Sequence, residues 1–578
     1  MIKRVLFCTS QLLLASRFSA AFSFVHSQPI ATPNTCKLHM TTSENKSDSW
    51  STREEDAEIA RKKLKVWPLD EENVKLLDEV HPKTWETKSR DEDESEKIVY
   101  DLIAIGAGAG GLVSSRQSAR RGAKSAMISA QLAGGDCLNV GCVPSKALIR
   151  SARMIREVRK AQTDPTTGIK IGGAVEVDFG QIMKRMRMLR AQIAPVDGHT
   201  LGTEIGVDVF QGFGRFVDAN TIEVVSVSHN GEEAPKPKKL KFKKAAICTG
   251  GRATIPSGIS GLSESPYTTN ETLFNLTKLP SKMVILGSGV VALEMAQVFA
   301  TFGSKVTVIM RGDTLFPRGD PDAGPYLQKS LEKSSNVEFI KSASLTKVET
   351  LIVPENNDDL PLMRLSITSK GEESELESDC LLIAAGRTPN VENLNLEAAN
   401  IDYDVKEGIL VDDNSKSTNP DVYSVGDCTA KVPRLTHMSG EMAKVVVQNA
   451  LFEDDWKLSS LVVPATMYTE PEYATAGVVT GGDDVDVYTA SLEHNDRAIL
   501  EGDREGYAKI FCKKGTGTIV GTSIIASRAG EIINEVTLAM KHGIPLEGIG
   551  RNIHCYPTTG EVVMTCGLQL INSKWKRL

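Results

Sequence analysis

At roughly 150 residues per domain, a chain of 578 residues holds three or four domains, which excludes a single small binding module. Hydrophobic residues at 41% and charged residues at 24% are the proportions of globular domains and exclude a chain that is disordered throughout. Lys and Arg number 67 against 74 Asp and Glu, and the net charge of -7 argues against nucleic acid as a partner.

The first fifty residues read as a leader. Lys3 and Arg4 precede a mostly apolar run from Val5 to Ala15, and the small residues Ser19, Ala20 and Ala21 follow, which is the layout of a signal peptide. The apolar run is too short to span a bilayer, so the mature form is expected to have no membrane segment. From Phe22 to Trp50 the chain is rich in Ser and Thr and carries only Glu44 and Asp48 as acids, as transit peptides do. The stretch from Ser19 to Phe24 resembles the junction of bipartite leaders for complex plastids, so a plastid is the expected address. Mitochondrial import and secretion are the alternatives.

Residues 51–97 show two short helical patterns broken at Pro68, then the charged run from Arg90 to Lys97, and are expected to form an N-terminal helical extension and a solvated linker. A continuous apolar strand then starts at Ile98 and runs into Gly106-Ala-Gly108-Ala-Gly-Gly111 and a helical segment. The construction returns at Met283 to Leu286, followed by Gly287-Ser-Gly289-Val-Val-Ala292 and another helix, with the glycine starts 181 positions apart. One such motif is a weak signal, but two in the strand, glycine turn, helix context point to two dinucleotide sites. The first Gly allows the tight turn, the second admits a pyrophosphate, and the third lets the helix pack closely with its N-terminus facing the anion.

The adenosine ribose is usually met about 20 positions beyond the first Gly. Both candidates, Ser129 and Met310, lie 23 positions on, and neither is acidic. Arg311 and nearby Arg318 suit a 2′-phosphate, which favours NADPH over NADH at the second site. Ser129 offers only a hydroxyl at the first.

Beyond the first unit comes Gly134-Gly135-Asp-Cys137-Leu-Asn-Val-Gly-Cys142-Val-Pro-Ser-Lys146. Five residues of regular helix rise about 7.5 Å, more than the usual Cα separation of a disulfide. A bridge therefore requires a distorted first turn. A strained bridge is the easier to reduce, and a helix N-terminus stabilises the thiolate that exchange needs. No His or further Cys lies at zinc-like spacing, so no metal is expected here.

With these residues the sequence resembles, from Val99 to Leu570, the class I pyridine nucleotide-disulfide oxidoreductases: glutathione reductase, dihydrolipoyl dehydrogenase and mercuric reductase. Cys248-Thr249-Gly250-Gly251, Ala385-Gly386-Arg387-Thr-Pro-Asn390 and Gly426-Asp427 are further landmarks. The resemblance implies an α/β protein with two Rossmann-like domains, for FAD and NAD(P)H, and a C-terminal α+β dimerisation domain. The expected parts are 98–270 and 391–463 for FAD, 271–390 for NAD(P)H and 464–578 for dimerisation, each homodimer site being completed by the partner chain. It implies that Gly106, Gly108, Gly111, Ser129, Gly135, Lys146, Thr249, Gly250 and Asp427 serve FAD, while Gly287, Gly289, Ala292, Glu294, Arg311, Arg318 and Gly386 serve the nicotinamide coenzyme. It also implies that Lys146 and Glu294 pair where hydride arrives, that Cys142 faces the flavin, and that Cys137 exchanges with a small-molecule or protein disulfide.

The C-terminal motif departs from the family. Its His is replaced by Tyr556 in the run His554-Cys555-Tyr556-Pro-Thr-Thr-Gly-Glu561, and an unperturbed Tyr, titrating near pH 10, is a poor base at neutral pH. Glu561 orienting the phenol, His554 reaching the site or Cys555 adding a thiol are three ways to supply the missing group. Mercuric reductases carry Tyr near this place, and Arg311 to Asp320 is similar to theirs. Yet their terminal Cys pair and N-terminal metal-binding module are not seen. A mercuric-reductase-like disulfide reductase is the leading expectation. Mercuric, lipoamide or glutathione activity, a flavin diaphorase reducing quinones without the Cys pair, and a redox sensor are the alternatives.

Overall fold

The computed structural model describes residues 49–87, 98–226, 236–335 and 337–575. The leader up to residue 48 and the charged linker at 88–97 lie outside the described residues.

The first glycine turn stands at the end of Val99–Ile105, the centre of a sheet in which Ser125–Ser129 and Lys238–Ile247 pair parallel on either side of it. Val207–Asp218 adds to the outer edge of Ser125–Ser129, and Val422–Ser424 to that of Lys238–Ile247. Lys238–Ile247 shows how the sequence encodes its surroundings. Its first half, Lys-Lys-Leu-Lys-Phe-Lys, alternates exposed Lys with buried Leu240 and Phe242 where it pairs antiparallel with Thr221–Ser226. Its last three residues, Ala245, Ala246 and Ile247, are all buried between parallel neighbours. One-sided burial gives period two, and two-sided burial gives a continuous apolar run.

After Gly251–Ala253 the chain leaves this sheet, and it returns through Arg387–Pro389, which pairs antiparallel with the outgoing strand. Between them lies the second fold, a parallel sheet in the order Cys380–Ile383, Lys282–Leu286, Lys305–Ile309, Val337–Ile340. Leu362–Ser369, paired with Ala343–Ile352 and Glu372–Ser378, completes an antiparallel three-stranded sheet beside it. The C-terminal part is a five-stranded antiparallel sheet, Pro464–Met467, Glu472–Gly477, Ile519–Ala526, Tyr507–Lys513 and Val485–Ser491 in order. Its apolar core is shared with the helices Ala529–Lys541 and Glu561–Ser573. Among the described residues no helix is long and apolar enough to cross a membrane.

Two helices join the glycine-turn folds. Leu148 and Ala152 of Cys142–Thr163 and Phe299 and Phe302 of Val290–Phe302 belong to one buried cluster, with the Phe179 ring 6.0 Å from that of Phe299. Ahead of the first fold, Glu54–Leu64 and Glu71–Val80 are helical. Asp70 caps the second by accepting a hydrogen bond from the Asn73 amide at 3.1 Å, as a helix N-cap should.

Candidate active site

The two glycine turns are built alike. Gly106 and Gly287 have φ of 111° and 120°, and a Cβ on them would come within 2.4 Å of the Cys248 carbonyl oxygen and 2.2 Å of that of Ala384. Only glycine fits both demands. A Cβ on Gly111 would stand 1.8 Å from the Gly106 oxygen, whereas Ala292 occupies the third slot of the second turn fully buried. The helices that follow, Ala109–Arg120 and Val290–Phe302, are capped by Gly108 and Gly289 without a side-chain hydrogen bond. Nothing lies within 4 Å of a Cβ placed on Gly289. Uncapped N-termini facing open space are what a pyrophosphate fits.

That space is a cavity of about 3260 Å³. Of the residues singled out from the sequence, Gly106, Gly108, Ser129, Gly135, Cys137, Cys142, Lys146, Thr249, Gly250, Gly287, Gly289, Glu294, Arg311, Gly386 and Asp427 line it. Gly111 and Ala292 instead pack the helices against their turns. Arg318 is exposed outside the lining. Met310 does not face the coenzyme cavity: its side chain is buried with Leu293, Leu315 and Leu327, and the next residue, Arg311, turns to the opening. Alternation along an extended chain moves the relevant position one residue on. Ser129 does line the cavity and donates to the Gln131 carbonyl at 3.2 Å.

Cys137 sits in the one-turn helix Gly135–Asn139, and Cys142 begins the long helix Cys142–Thr163. The sequence suggested one helix with a distorted first turn; the structure breaks it at Val140 and Gly141. A Cβ on Gly141 would stand 2.7 Å from the Asp136 oxygen, so the break needs glycine. The break lets the two free thiols hydrogen-bond to each other. The bond from Cys137 lowers the Cys142 thiol well below its usual value, with help from Thr436, whose Oγ1 lies 3.3 Å from Cys142 Sγ, and from the Lys146 charge. The same bond, with burial, pushes Cys137 up.

Lys146 Nζ lies 2.9 Å from Oε2 of Glu294 and 4.5 Å above the Tyr468 ring, and Glu294 Oε1 accepts from the Tyr468 amide at 2.9 Å. Arg387 reaches Asp136 at 2.5 Å and Asp427 at 3.0 Å, and donates to the Gly251 carbonyl at 2.7 Å. Thr249 and Asn390 exchange hydrogen bonds of 2.6 and 3.0 Å, joining two motifs 141 residues apart. Arg387 was legible only as part of its motif. Thr436 and Tyr468 carried no sequence signal.

The C-terminal triad lies elsewhere. Tyr556 is 73% exposed, outside the cavity lining of its own chain. Its hydroxyl donates to Asp496 at 2.7 Å and not to Glu561, which accepts from the Thr558 amide at 2.9 Å. His554 is paired with Glu535 at 2.9 Å. Among the described residues no group of His, Cys, Asp and Glu suits a metal ion.

Two dinucleotide folds sharing one cavity with a Cys pair are the arrangement of an oxidoreductase. Residues 100–443 match the pyridine nucleotide-disulphide oxidoreductase family and 463–566 its dimerisation domain. The mercuric reductase of Lysinibacillus sphaericus is 30% identical over 515 residues, 88% of this chain and 90% of that protein. The dihydrolipoyl dehydrogenase of Bacillus subtilis is 29% identical over 484 residues, 82% and 97% of the two chains. The HOCl-induced flavoprotein disulfide reductase RclA of Escherichia coli superimposes with a TM-score of 0.68 at 25% identity, over 80% of this chain and 98% of that one. The chain belongs to the pyridine nucleotide-disulfide oxidoreductases, enzymes acting on sulfur groups, and FAD is typical of that family.

Proposed function

We propose that the protein is a homodimeric disulfide reductase that takes electrons from NADPH and delivers them through Cys137 and Cys142 to a disulfide or another thiol-reactive acceptor. FAD, when bound, accepts hydride from the coenzyme and hands an electron pair to sulfur. The chain's own residues hold and poise the reacting groups. Gly106, Gly108 and the start of Ala109–Arg120 would take the FAD pyrophosphate, and Gly287, Gly289 and the start of Val290–Phe302 that of the coenzyme. Arg311 at the opening gives a 2′-phosphate a guanidinium.

The asymmetry of the two thiols carries the reading. Cys142, at a helix N-terminus with Lys146 nearby, keeps the thiolate, and Cys137 keeps the proton, so Cys137 is the sulfur that attacks the acceptor once deprotonated. Tyr556 and His554 of a second copy would stand near Cys137, with Tyr556 touching the acceptor. Import into a plastid fits the leader. The test is a steady-state panel of glutathione disulfide, lipoamide, Hg(II), thioredoxin-like disulfides and quinones, each with NADPH and with NADH. Turnover of a disulfide or Hg(II) that requires both cysteines supports the proposal. Quinone turnover alone, unchanged in Cys142→Ser, refutes it.

A further inference from the structure

We propose that residues 49–87 are a strap that positions the redox turn, and that Asn73 acts as a positioning residue on Cys137 and Cys142 through Arg190 and Asn139. This rests on the cysteine pair being the working centre. The strap precedes the 100–443 region that matches the family.

The connection is continuous and buried. Asn73 donates from Nδ2 to the Pro68 carbonyl at 2.7 Å, which fixes its amide, and its Oδ1 accepts from Arg190 Nη2 at 2.6 Å. Arg190 Nη1 donates to the Asn139 carbonyl at 2.6 Å. Asn139 lies between the two cysteines, and its Nδ2 donates to the carbonyls of Ala133 and Gly135, both at 2.9 Å. The strap also grips the front of the turn, since the Val80 carbonyl accepts from the Ala133 amide at 2.9 Å. Leu76 and Val80 share a buried cluster with Leu138, the neighbour of Cys137.

Such an arrangement does more than cover a surface. A buried guanidinium whose hydrogen-bond acceptors are neutral is costly, and burial, with the charge of Arg187, lowers Arg190 to about 10 against the opposing pull of Asp70. Its charge-assisted bonds are short and about twice as strong as neutral ones. They fix the peptide just ahead of the break at Val140 and Gly141, and that break sets how the two sulfurs meet. Releasing Asn139 loosens the thiol contact that lowers Cys142. Asn73 touches neither sulfur, so its effect on them can only be indirect.

The holoenzyme is reduced to the dithiol, and Cys142 alkylation by iodoacetamide is followed against pH in wild type, Asn73→Leu and Asn73→Asp. Asn73→Leu should raise the apparent pKa of Cys142 by about one unit, so that alkylation well below it slows about tenfold. Asn73→Asp, which keeps an acceptor for Arg190, should restore it. An unchanged pH profile in folded, FAD-loaded Asn73→Leu overturns the proposal. If Asn73→Leu does not fold, hydrogen exchange on the wild type decides. Residues 71–80 should change protection between the disulfide and dithiol states, and identical protection overturns the proposal. Neither readout needs an acceptor, so failure here is separate from failure of the acceptor panel.

Discussion

Lys146 of the redox helix and Glu294 of the second glycine-turn helix meet at 2.9 Å, joining the two dinucleotide folds beside Cys142. Glu294 is almost wholly buried, and its other oxygen is held by the Tyr468 amide. Lys146→Met therefore leaves a buried carboxylate with one partner fewer, which should cost about 1–3 kcal/mol. It also removes a charge that lowers Cys142, so the thiolate should form at higher pH. Chemical denaturation and alkylation against pH read the two effects separately.

Stability of the dithiol form should depend on pH in a stated direction. Cys142 is lowered to about 6, chiefly by the hydrogen bond from Cys137, against the opposing effect of burial. A group lowered in the fold gives stability fully present above its unfolded value, about 8.5 for a thiol, and lost as pH falls through the folded value. The dithiol protein should thus weaken as pH drops from about 8.5 toward 6, while the disulfide form lacks this component. Cys137 is shifted the other way and acts only above that window. Denaturant midpoints of wild type and Cys142→Ser, both reduced, check it: the dependence should be smaller in the variant.

Arg311 lines the cavity and is exposed there, so its guanidinium is available to a phosphate. A charge-assisted contact contributes about 1.5–3 kcal/mol, so NADPH should be preferred by roughly tenfold to a hundredfold. Arg311→Ala should abolish it. Arg318→Ala, altering a residue outside the lining, should leave it intact. The ratio of kcat/KM for NADPH and NADH measures both.

Tyr556 donates its proton to Asp496, and that bond raises its pKa, so the phenol presents lone pairs and stays protonated at neutral pH. Tyr556→Phe should lower acceptor turnover while leaving reduction of the flavin by NADPH unchanged, and Asp496→Asn should do the same more weakly. Stopped-flow absorbance separates the half-reactions. A positioned acid contributes about 10²–10⁴-fold, so a loss of that size in His554→Ala would assign the acid-base role to His554.

The sequence made the paired glycine turns legible because their backbone demands admit few residues, and the same holds for the Cys137 to Lys146 run. It left out whatever depends on distant chain segments meeting. Asp496 and Tyr556 are 60 positions apart, and Thr436 reaches Cys142 across 294. Counting from Gly287 places Met310 in a coenzyme slot, but the pleat points it into a hydrophobic cluster. The pattern of residues 51–97 predicts an extension of helices and linker; the hydrogen bonds that Asn73 accepts from Arg190 and Val80 from Ala133 have no local pattern to announce them.

Whether electrons pass through the cysteine pair is tested most directly by two-electron reduction of the FAD-loaded protein under argon, in wild type, Cys137→Ser and Cys142→Ser. Long-wavelength charge-transfer absorbance from a thiolate beside the flavin should appear in wild type, persist in Cys137→Ser and vanish in Cys142→Ser, with disulfide turnover lost in both variants. An undiminished band or unchanged disulfide turnover in Cys142→Ser would contradict the account.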